Sequence, residues 1–503
     1  MQVEFSMIFL MDAVSLRHMK NFFLVLLLFM GQSLLGQQNL GIRNSNYAGI
    51  QGALINPGSI ADSKLAWDVN VISFDEVFDN TFLYVPKQSL HFLGFRHIIK
   101  GAIDENLFQT HYNPENPNQL FNLTFSTETL GPSFFMKLAK KHEIGFTLAN
   151  RSYVNIKNIP GHVAENAFAY FLETDLWNTE FTDASTRLNA MNWVQYGFHY
   201  ATVLYRDGNN QLKGGLSLNY LQGIAAAYTK NTNITYKIVD TTSMLFYNTN
   251  ADYGRTNYDD FRHASNFGDL THGHGFGMDI GFTFVRLKDQ ETENAVANTN
   301  SKSYSEHSDY VYRIGLSFLD IGAINFNRNS ASYHLEADSA NFENWHEIKF
   351  HSNIDLDKAL SAVFYNGDST QSLTADHFKM AMPSAISIQF DWNVYEQFFA
   401  NMTIIKGFGH VNKQGVVRPD VYSITPRYET KWGEVSLPFS VINYNQWRAR
   451  LGFAFRIAYF FFGGDAPGSL LKLKDLNGVD FYAGIHFFIV DTKRNHDGIF
   501  KNL

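Results

Sequence analysis

Few residues in this chain are spaced for bond-making or bond-breaking chemistry. His272-Gly273-His274 places two imidazoles two residues apart in a glycine-rich stretch, but a zinc site draws on three or four ligands and no carboxylate lies nearby in sequence. Asp475–Asp480 (D-L-N-G-V-D) has the acidic character of a calcium loop, yet its glycine is not at the sixth position that the EF-hand turn requires. There is no G-x-S-x-G, no phosphate loop and no H-E-x-x-H. Cys 0 excludes a thiol nucleophile, a Cys-ligated metal, a disulfide scaffold and a lipidated N-terminal cysteine. The expectation is a protein that is not an enzyme and holds no metal or cofactor. What stands out is a set of isolated polar residues on runs whose alternate positions are apolar: Gln195, His199, Arg313, Gln389, Asp391, Arg448, Arg450 and Arg456. Charges in a confined space need partners. Arg448, Arg450 and Arg456 would either line an open lumen suited to anionic solutes or pair with Asp391 or Glu434 in a filled one.

The elements that carry them alternate with period two. In Asn192–Arg206, Val194, Tyr196, Phe198, Tyr200, Thr202 and Leu204 alternate with Trp193, Gln195, Gly197, His199, Ala201 and Val203. Successive strand side chains point to opposite faces, so this is a strand with one large apolar face and one small or polar face. After Asp207-Gly208-Asn209-Asn210 the pattern resumes through Leu212–Tyr220, a hairpin. The same pattern recurs at Phe276–Phe284, Tyr310–Phe318, Ala385–Trp392 and Trp447–Ile457. It is weaker at Leu65–Phe74, Leu90–Arg96, Leu120–Ser126, Ser133–Leu138, Glu143–Asn150, Phe398–Lys406, Val421–Glu429, Glu434–Val441 and Phe481–Val490. The expected fold is an all-β, transmembrane antiparallel β-barrel of about 14 strands, within roughly 12 to 16. Lipid would meet the apolar face, and the lumen the small and polar one. The competing architecture, a soluble β-sandwich, suits the Phe-, Tyr- and Leu-rich faces less well, because such faces match a lipid belt with aromatic girdles.

Composition agrees with a barrel. In 503 residues, aromatic residues reach 16 % and charged residues only 17 %, with a net charge of −8. No basic surplus exists to neutralise nucleic-acid phosphates. A mean hydropathy of −0.20 excludes a polytopic helical membrane protein. Met19-Lys20-Asn21 followed by Phe22–Met30 and a small residue at Gly36 has the form of a secretory signal peptide, cleaved near Gly36/Gln37. Residues 1–18 carry no recognisable element and read as an over-extended gene start. The expected organisation is a signal peptide over 1–36, a plug-like segment over 37–64, a barrel over 65–490 and a polar tail over 491–503.

Between strands, Ile156–Ala190, Thr229–His274, Lys288–Asp309, Asn327–Pro383 and Gly463–Asp480 read as long irregular intervals. A short amphipathic helix is expected over His162–Trp177. Gln37–Lys64 is polar and glycine-bearing, with Asn44, Asn46, Asn56 and Pro57 as candidate plug residues. It would either fold into the lumen or trail as a tail in the periplasm.

Several segments resemble a known group of barrels. Asn56-Pro57-Gly58-Ser59-Ile60-Ala61-Asp62 resembles the N-P-[AG] segment near the mature N-terminus of FadL-like barrels. Leu319-Asp320-Ile321-Gly322-Ala323-Ile324 resembles their D-[IF]-G strand motif in Bacteroidota. Met382-Pro383-Ser384-Ala385-Ile386-Ser387-Ile388 resembles their [LM]-P-[ST]-A strand start. Gly463–Phe488, with Pro467-Gly468-Ser469 and Gly478–Gly484, resembles the penultimate loop and last strand of an uncharacterised family beside the PorV-like and PorP/SprF-like proteins. The resemblance implies residence in the outer membrane of a Gram-negative bacterium, in contact with its lipid. It implies passage of small or hydrophobic molecules in the FadL branch. In the other branches it implies a scaffold or partner-binding role among secretion or gliding proteins. One departure is the polar tail Asp491–Leu503, where such barrels commonly end on an aromatic strand residue.

Overall fold

The computed structural model describes residues 39–89, 108–139, 141–168, 176–240, 242–257, 267–288, 310–343, 353–408, 414–443, 446–464 and 475–491. The proposed signal peptide, the expected strand Leu90–Arg96, Pro467-Gly468-Ser469 and all but the first residue of the polar tail lie outside these residues.

The chain is a closed antiparallel barrel of 14 strands. Several strands are built from collinear segments. They are β1 (Leu65–Asn80), β2 (Leu120–Leu130 and Ser133–Ala139), β3 (His142–Pro160), β4 (Arg187–Asp207), β5 (Asn210–Ile238), β6 (Met244–Thr256 and Gly273–Leu287) and β7 (Tyr310–Phe326 and Ser330–Phe342). The second half comprises β8 (Leu373–Ala375, Phe378–Ala381 and Ala385–Tyr395), β9 (Phe398–Gly407), β10 (Asp420–Glu429), β11 (Gly433–Ser436 and Phe439–Asn443), β12 (Trp447–Leu451 and Phe453–Ile457), β13 (Phe460–Gly464) and β14 (Gly478–Val490). Each strand pairs with its sequence neighbours. β1 and β14 close the wall from Leu65↔Val490 to Asp79↔Gly478. Closure leaves no unpaired edge, which a sheet surrounded by lipid requires.

Register follows the alternation. In the β3–β4 ladder, Ile144↔Tyr200 and Phe146↔Phe198 face out, while Gly145↔His199 and Thr147↔Gly197 face in. Phe198 is 62 % exposed and Phe276 74 %, whereas Trp193, five residues before Phe198, is wholly buried. A belt of exposed apolar side chains runs round the wall through Val69, Leu218, Phe282, Leu316, Phe390, Ile424 and Val441. Among the described residues no helix is long and apolar enough to cross a membrane.

Three of the expected irregular intervals contain strand. β5 has 29 residues, at ~3.3 Å each nearly three times what a tilted membrane strand needs. Thr229–His274 holds its last stretch, Thr229–Ile238, and the first segment of β6; Asn327–Pro383 holds the second segment of β7 and the start of β8. Ile156–Ala190 contains the ends of β3 and β4 and the stretch Glu180–Asp183. Beyond the belt the row of exposed apolar side chains does not continue, so the greasy face that marks the wall strands is missing there. The upper parts of β5, β6 and β7 form a wing at the barrel end opposite Leu65 and Val490. The helix expected over His162–Trp177 is α2 (Gly161–Phe168), following α1 (Leu40–Arg43); residues 169–175 lie outside the described ones. A third helix, α3 (Asn353–Phe364), packs Leu356, Leu360 and Phe364, on one face at spacing four, against Ile238, Met244, Phe246 and Leu335 of the wing. Arg255 pairs with Asp357 of α3 at 2.6 Å. Asn366 and Gly367, both at positive φ, end the helix as Gly367 N donates to Ala362 O.

With collinear segments joined, loop lengths sort by end. At the end of Leu65 and Val490, five of the six connections are tight turns, such as Gly208-Asn209 and Glu396-Gln397, and residues 288–309 form the long one. At the wing end five of the seven connections are longer than these turns, and only 239–243 and 444–446 are short.

Candidate functional site

The segment Asn39–Lys64 lies inside the barrel. It is locally specified: Asn39 adopts a left-handed conformation (φ 49°) ahead of α1. Pro57 opens a 3₁₀ turn over Pro57–Ile60, and the Asn56 carboxamide oxygen accepts from Gly58 N at 2.9 Å. Asn56-Pro57-Gly58 sits in a slot left by three wall glycines. A Cβ on Gly215 of β5 would stand 2.3 Å from the Pro57 carbonyl carbon. One on Gly281 of β6 would stand 2.2 Å from Asn56 Oδ1, and one on Gly315 of β7 2.7 Å from Asn56 Nδ2.

From this seat the segment touches most of the wall. Asn56 Nδ2 donates to Gln389 Oε1 of β8 at 3.0 Å and to Phe282 O of β6 at 3.1 Å. Gln389 Nε2 and Ser317 Oγ donate to Ile55 O at 3.3 and 2.6 Å. Asn44 Nδ2 donates to Thr403 of β9 at 3.1 Å, and Asn46 Nδ2 to Glu429 of β10. Ser45 Oγ donates to Glu434 of β11 at 2.7 Å. Ile50 N donates to Asp68 of β1 at 2.9 Å, and Asp68 also meets His486 of β14 at 2.7 Å.

Most of the expected lumen residues are in this interior network. His199 bridges Thr147 Oγ1 at 2.9 Å and Ser217 Oγ at 2.7 Å. Gln195 accepts from Arg151 at 3.0 Å. Asp391 receives a two-bond fork from Arg427 at 2.7 and 2.9 Å and lies 3.0 Å from Arg313 Nε, while Arg313 also donates to Asn44 O of the plug. Arg456 takes Glu434 at 3.2 Å and lies over the Tyr47 ring at 4.6 Å. Arg448 and Arg450 differ from expectation: their partners are Asp79 and Asp480, at 3.1, 2.5 and 3.2 Å, not Asp391 or Glu434. β12 carries both arginines two strands from β14 and three from β1, across the five-residue β13, whereas Asp391 on β8 is four strands away in the other direction.

Two features escape a one-dimensional reading. The first is a second closure. Gln414–Pro419, just before β10, crosses to the opposite wall: Val417 N donates to Asn155 of β3 at 2.8 Å and Gly415 N to Asn189 of β4 at 3.2 Å. Its Val416 is fully buried against an apolar layer of Met191, Trp193, Tyr228, Phe326, Phe378 and Met380. The second is a buried ion cluster of Arg43, Glu128, Arg151, Asp320 and Arg418, in which Arg151 forks onto Asp320 at 2.6 and 2.9 Å. Asp320 belongs to the Leu319–Ile324 motif and has φ +53°, a kink in β7 where Met382 N donates to Gly322 O. The motif was visible in the sequence, but its partners were not.

Beside the plug is a cavity of about 80 Å³, bordered by Arg43, Asn56, Lys213, Arg313, Gln389 and Asn401, which has room for a few waters. His272 is buried and bonded to backbone oxygens of Ile224 and Leu270; His274 contacts Tyr220 on the outer face. Asp475 accepts from Lys87 N.

Residues 57–465 match the model of DUF5723, a family of unknown function. Among solved structures, a mutant of the monoaromatic hydrocarbon channel TodX is similar at 8 % identity and TM-score 0.43, covering 88 % of this chain and 95 % of that one. The toluene transporter TbuX of Ralstonia pickettii gives 7 %, 0.39, 87 % and 93 %. The translocator domain of autotransporter NalP from Neisseria meningitidis gives 6 %, 0.28, 84 % and 88 %. No curated protein matches the sequence.

Proposed function

We propose that this chain, which belongs to the DUF5723 family of unknown function, is an outer-membrane barrel that passes small apolar molecules through a lumen it keeps shut at rest. The observation that carries this reading is the apolar layer around Trp193, Phe326, Phe378 and Met380 inside the wall. Barrel lumens are ordinarily polar, and an apolar layer with adaptable methionines offers an apolar solute a lower-energy station than water does. The segments inside the barrel, Asn39–Lys64 and Gln414–Pro419, lie outside the wall strands; Val416 of the second packs on the layer, and one bridge, Ala381↔Gly415, ties that segment to β8, so either can move without breaking strand-to-strand pairing. In this reading the chain is exported through a signal peptide cleaved near Gly36/Gln37, and the end with tight turns faces the periplasm. Uptake of a small aromatic hydrocarbon by cells expressing the chain tests it. Faster uptake than by cells lacking it is expected, and equal uptake overturns it.

A second reading has its own observation. The wing, with α3 and its separate core, is more structure than a passage needs. It suits a barrel that presents an outer surface to protein partners, such as components of a secretion or gliding complex. Pull-down from detergent extracts with the intact chain and with a chain lacking Asn353–Phe364 tests this; recovery of the intact barrel alone overturns it.

A further inference from the structure

The plug and the outer crossing meet in one buried ionic chain. Arg43 of the plug donates to Glu128 on β2. The other oxygen of Glu128 lies 3.4 Å from Arg151 Nε on β3. Arg151 forks onto Asp320 of β7, and Arg418 of the crossing donates to the same Asp320 at 2.5 Å. Side-chain exposures along the chain are 6, 16, 4, 5 and 6 %. Both ends of the chain belong to segments outside the wall, and all three links between belong to the wall.

We propose that these five residues couple the two closures, so that the lumen opens as a unit. Withdrawing the crossing removes Arg418 and leaves Asp320 with one arginine where it had two. Arg151 is then drawn more fully to Asp320, and its attraction for Glu128, the anchor of Arg43, weakens. Withdrawing the plug runs the same sequence in reverse. Removing one member of a buried ionic set leaves charge uncompensated at low dielectric, so each closure is most stable when the other is in place. Coupling of this kind is reciprocal: whatever displaces the crossing from outside loosens the plug by the same factor as the plug's release loosens the crossing. The inference rests on reading both segments as movable closures, not on what passes between them.

Because the native chain has no cysteine, single cysteines report each closure cleanly. Ala53→Cys marks the plug and Val416→Cys the crossing; both positions are buried. Arg418→Gln should raise the maleimide labelling rate at both positions, by at least about fivefold at position 53. Arg450→Gln, an equally buried arginine outside the chain of five, should leave position 53 unchanged. In a Glu128→Gln background, Arg418→Gln should no longer alter the rate at position 53. A rise at 416 with none at 53 overturns the coupling. Arg418→Lys keeps the charge and carries the same test with a smaller rise, should Arg418→Gln fail to assemble. Labelling does not depend on transport, so a failed uptake experiment leaves this result separately readable.

Discussion

Replacing Gly215 by alanine tests the seat of the plug. The added Cβ would lie 2.3–2.5 Å from the backbone of Pro57 and Gly58, not from the end of a flexible side chain, so the turn itself must retreat. Overpacking of this kind costs about 1–3 kcal/mol. If the turn retreats far enough to lose the Asn56 bonds to Gln389, Phe282 and Thr283, at 3.0, 3.1 and 3.2 Å, each adds about 1 kcal/mol. Even about 2 kcal/mol in total multiplies the unseated population roughly thirtyfold. The β5 strand has full ladders on both sides at this position, through Ala201 and Gly281, so the wall should hold. The assay is the maleimide labelling rate of Ala53→Cys in detergent, with and without Gly215→Ala. Gly433→Ala is the control, because a Cβ there meets nothing nearer than 3.7 Å. A Gly215→Ala rate within about twofold of the parent would refute the glycine slot as the plug's seat.

Other expectations follow from single sites. Trp193→Ala empties a fully buried position stacked on Tyr153 at 5.8 Å and covered by Arg151 at 5.0 Å, and should cost about 3–5 kcal/mol in urea unfolding; a loss below about 1 kcal/mol would contradict its place in the apolar layer. Asp391→Asn leaves Arg427 and Arg313 without their shared carboxylate and should cost about 3–5 kcal/mol in the same assay. In the wing, the hydrogen bond to Asp252 raises the His334 pKa above its ordinary value, with Glu336 adding to it and partial burial opposing it. The stabilisation is therefore full below the ordinary histidine value of about 6.5 and is lost as pH rises through the raised one. Amide exchange over Ser330–Phe342 should quicken across that window beyond its intrinsic pH dependence, and His334→Gln should abolish the excess; no excess in the parent chain would contradict the assignment.

The wall was legible where one face is an exposed apolar belt and the other lines the interior. Asn192–Arg206 is such a place, since Phe198 and His199 report opposite environments. Legibility failed where those pressures stop. Thr229–Ile238 and Ser330–Phe342 stand beyond the belt, so their strands lack a greasy face and read as loop. β13 was missed because five residues beginning Phe460-Phe461-Phe462 show no alternation. The plug's composition was visible, and so was the small-residue face at Gly215, Gly281 and Gly315, but not that one fills the other. The lumen's pairings join residues far apart in sequence, such as Asn44 with Thr403 across 359 positions and Arg43 with Glu128 across 85. Closing the barrel sets those partners; local spacing carries no trace of them.

In the proposed function the wall spans lipid and its lumen is closed by the chain's own plug and crossing. Single-channel recording in planar bilayers tests it most directly. The chain from Gln37 onward should be silent, and a chain lacking Asn39–Lys64 with Gln414–Arg418 replaced by a short Gly-Ser link should conduct in steady ohmic steps. Open conductance from the intact chain, or silence from the doubly altered chain correctly inserted in the bilayer, would contradict the account.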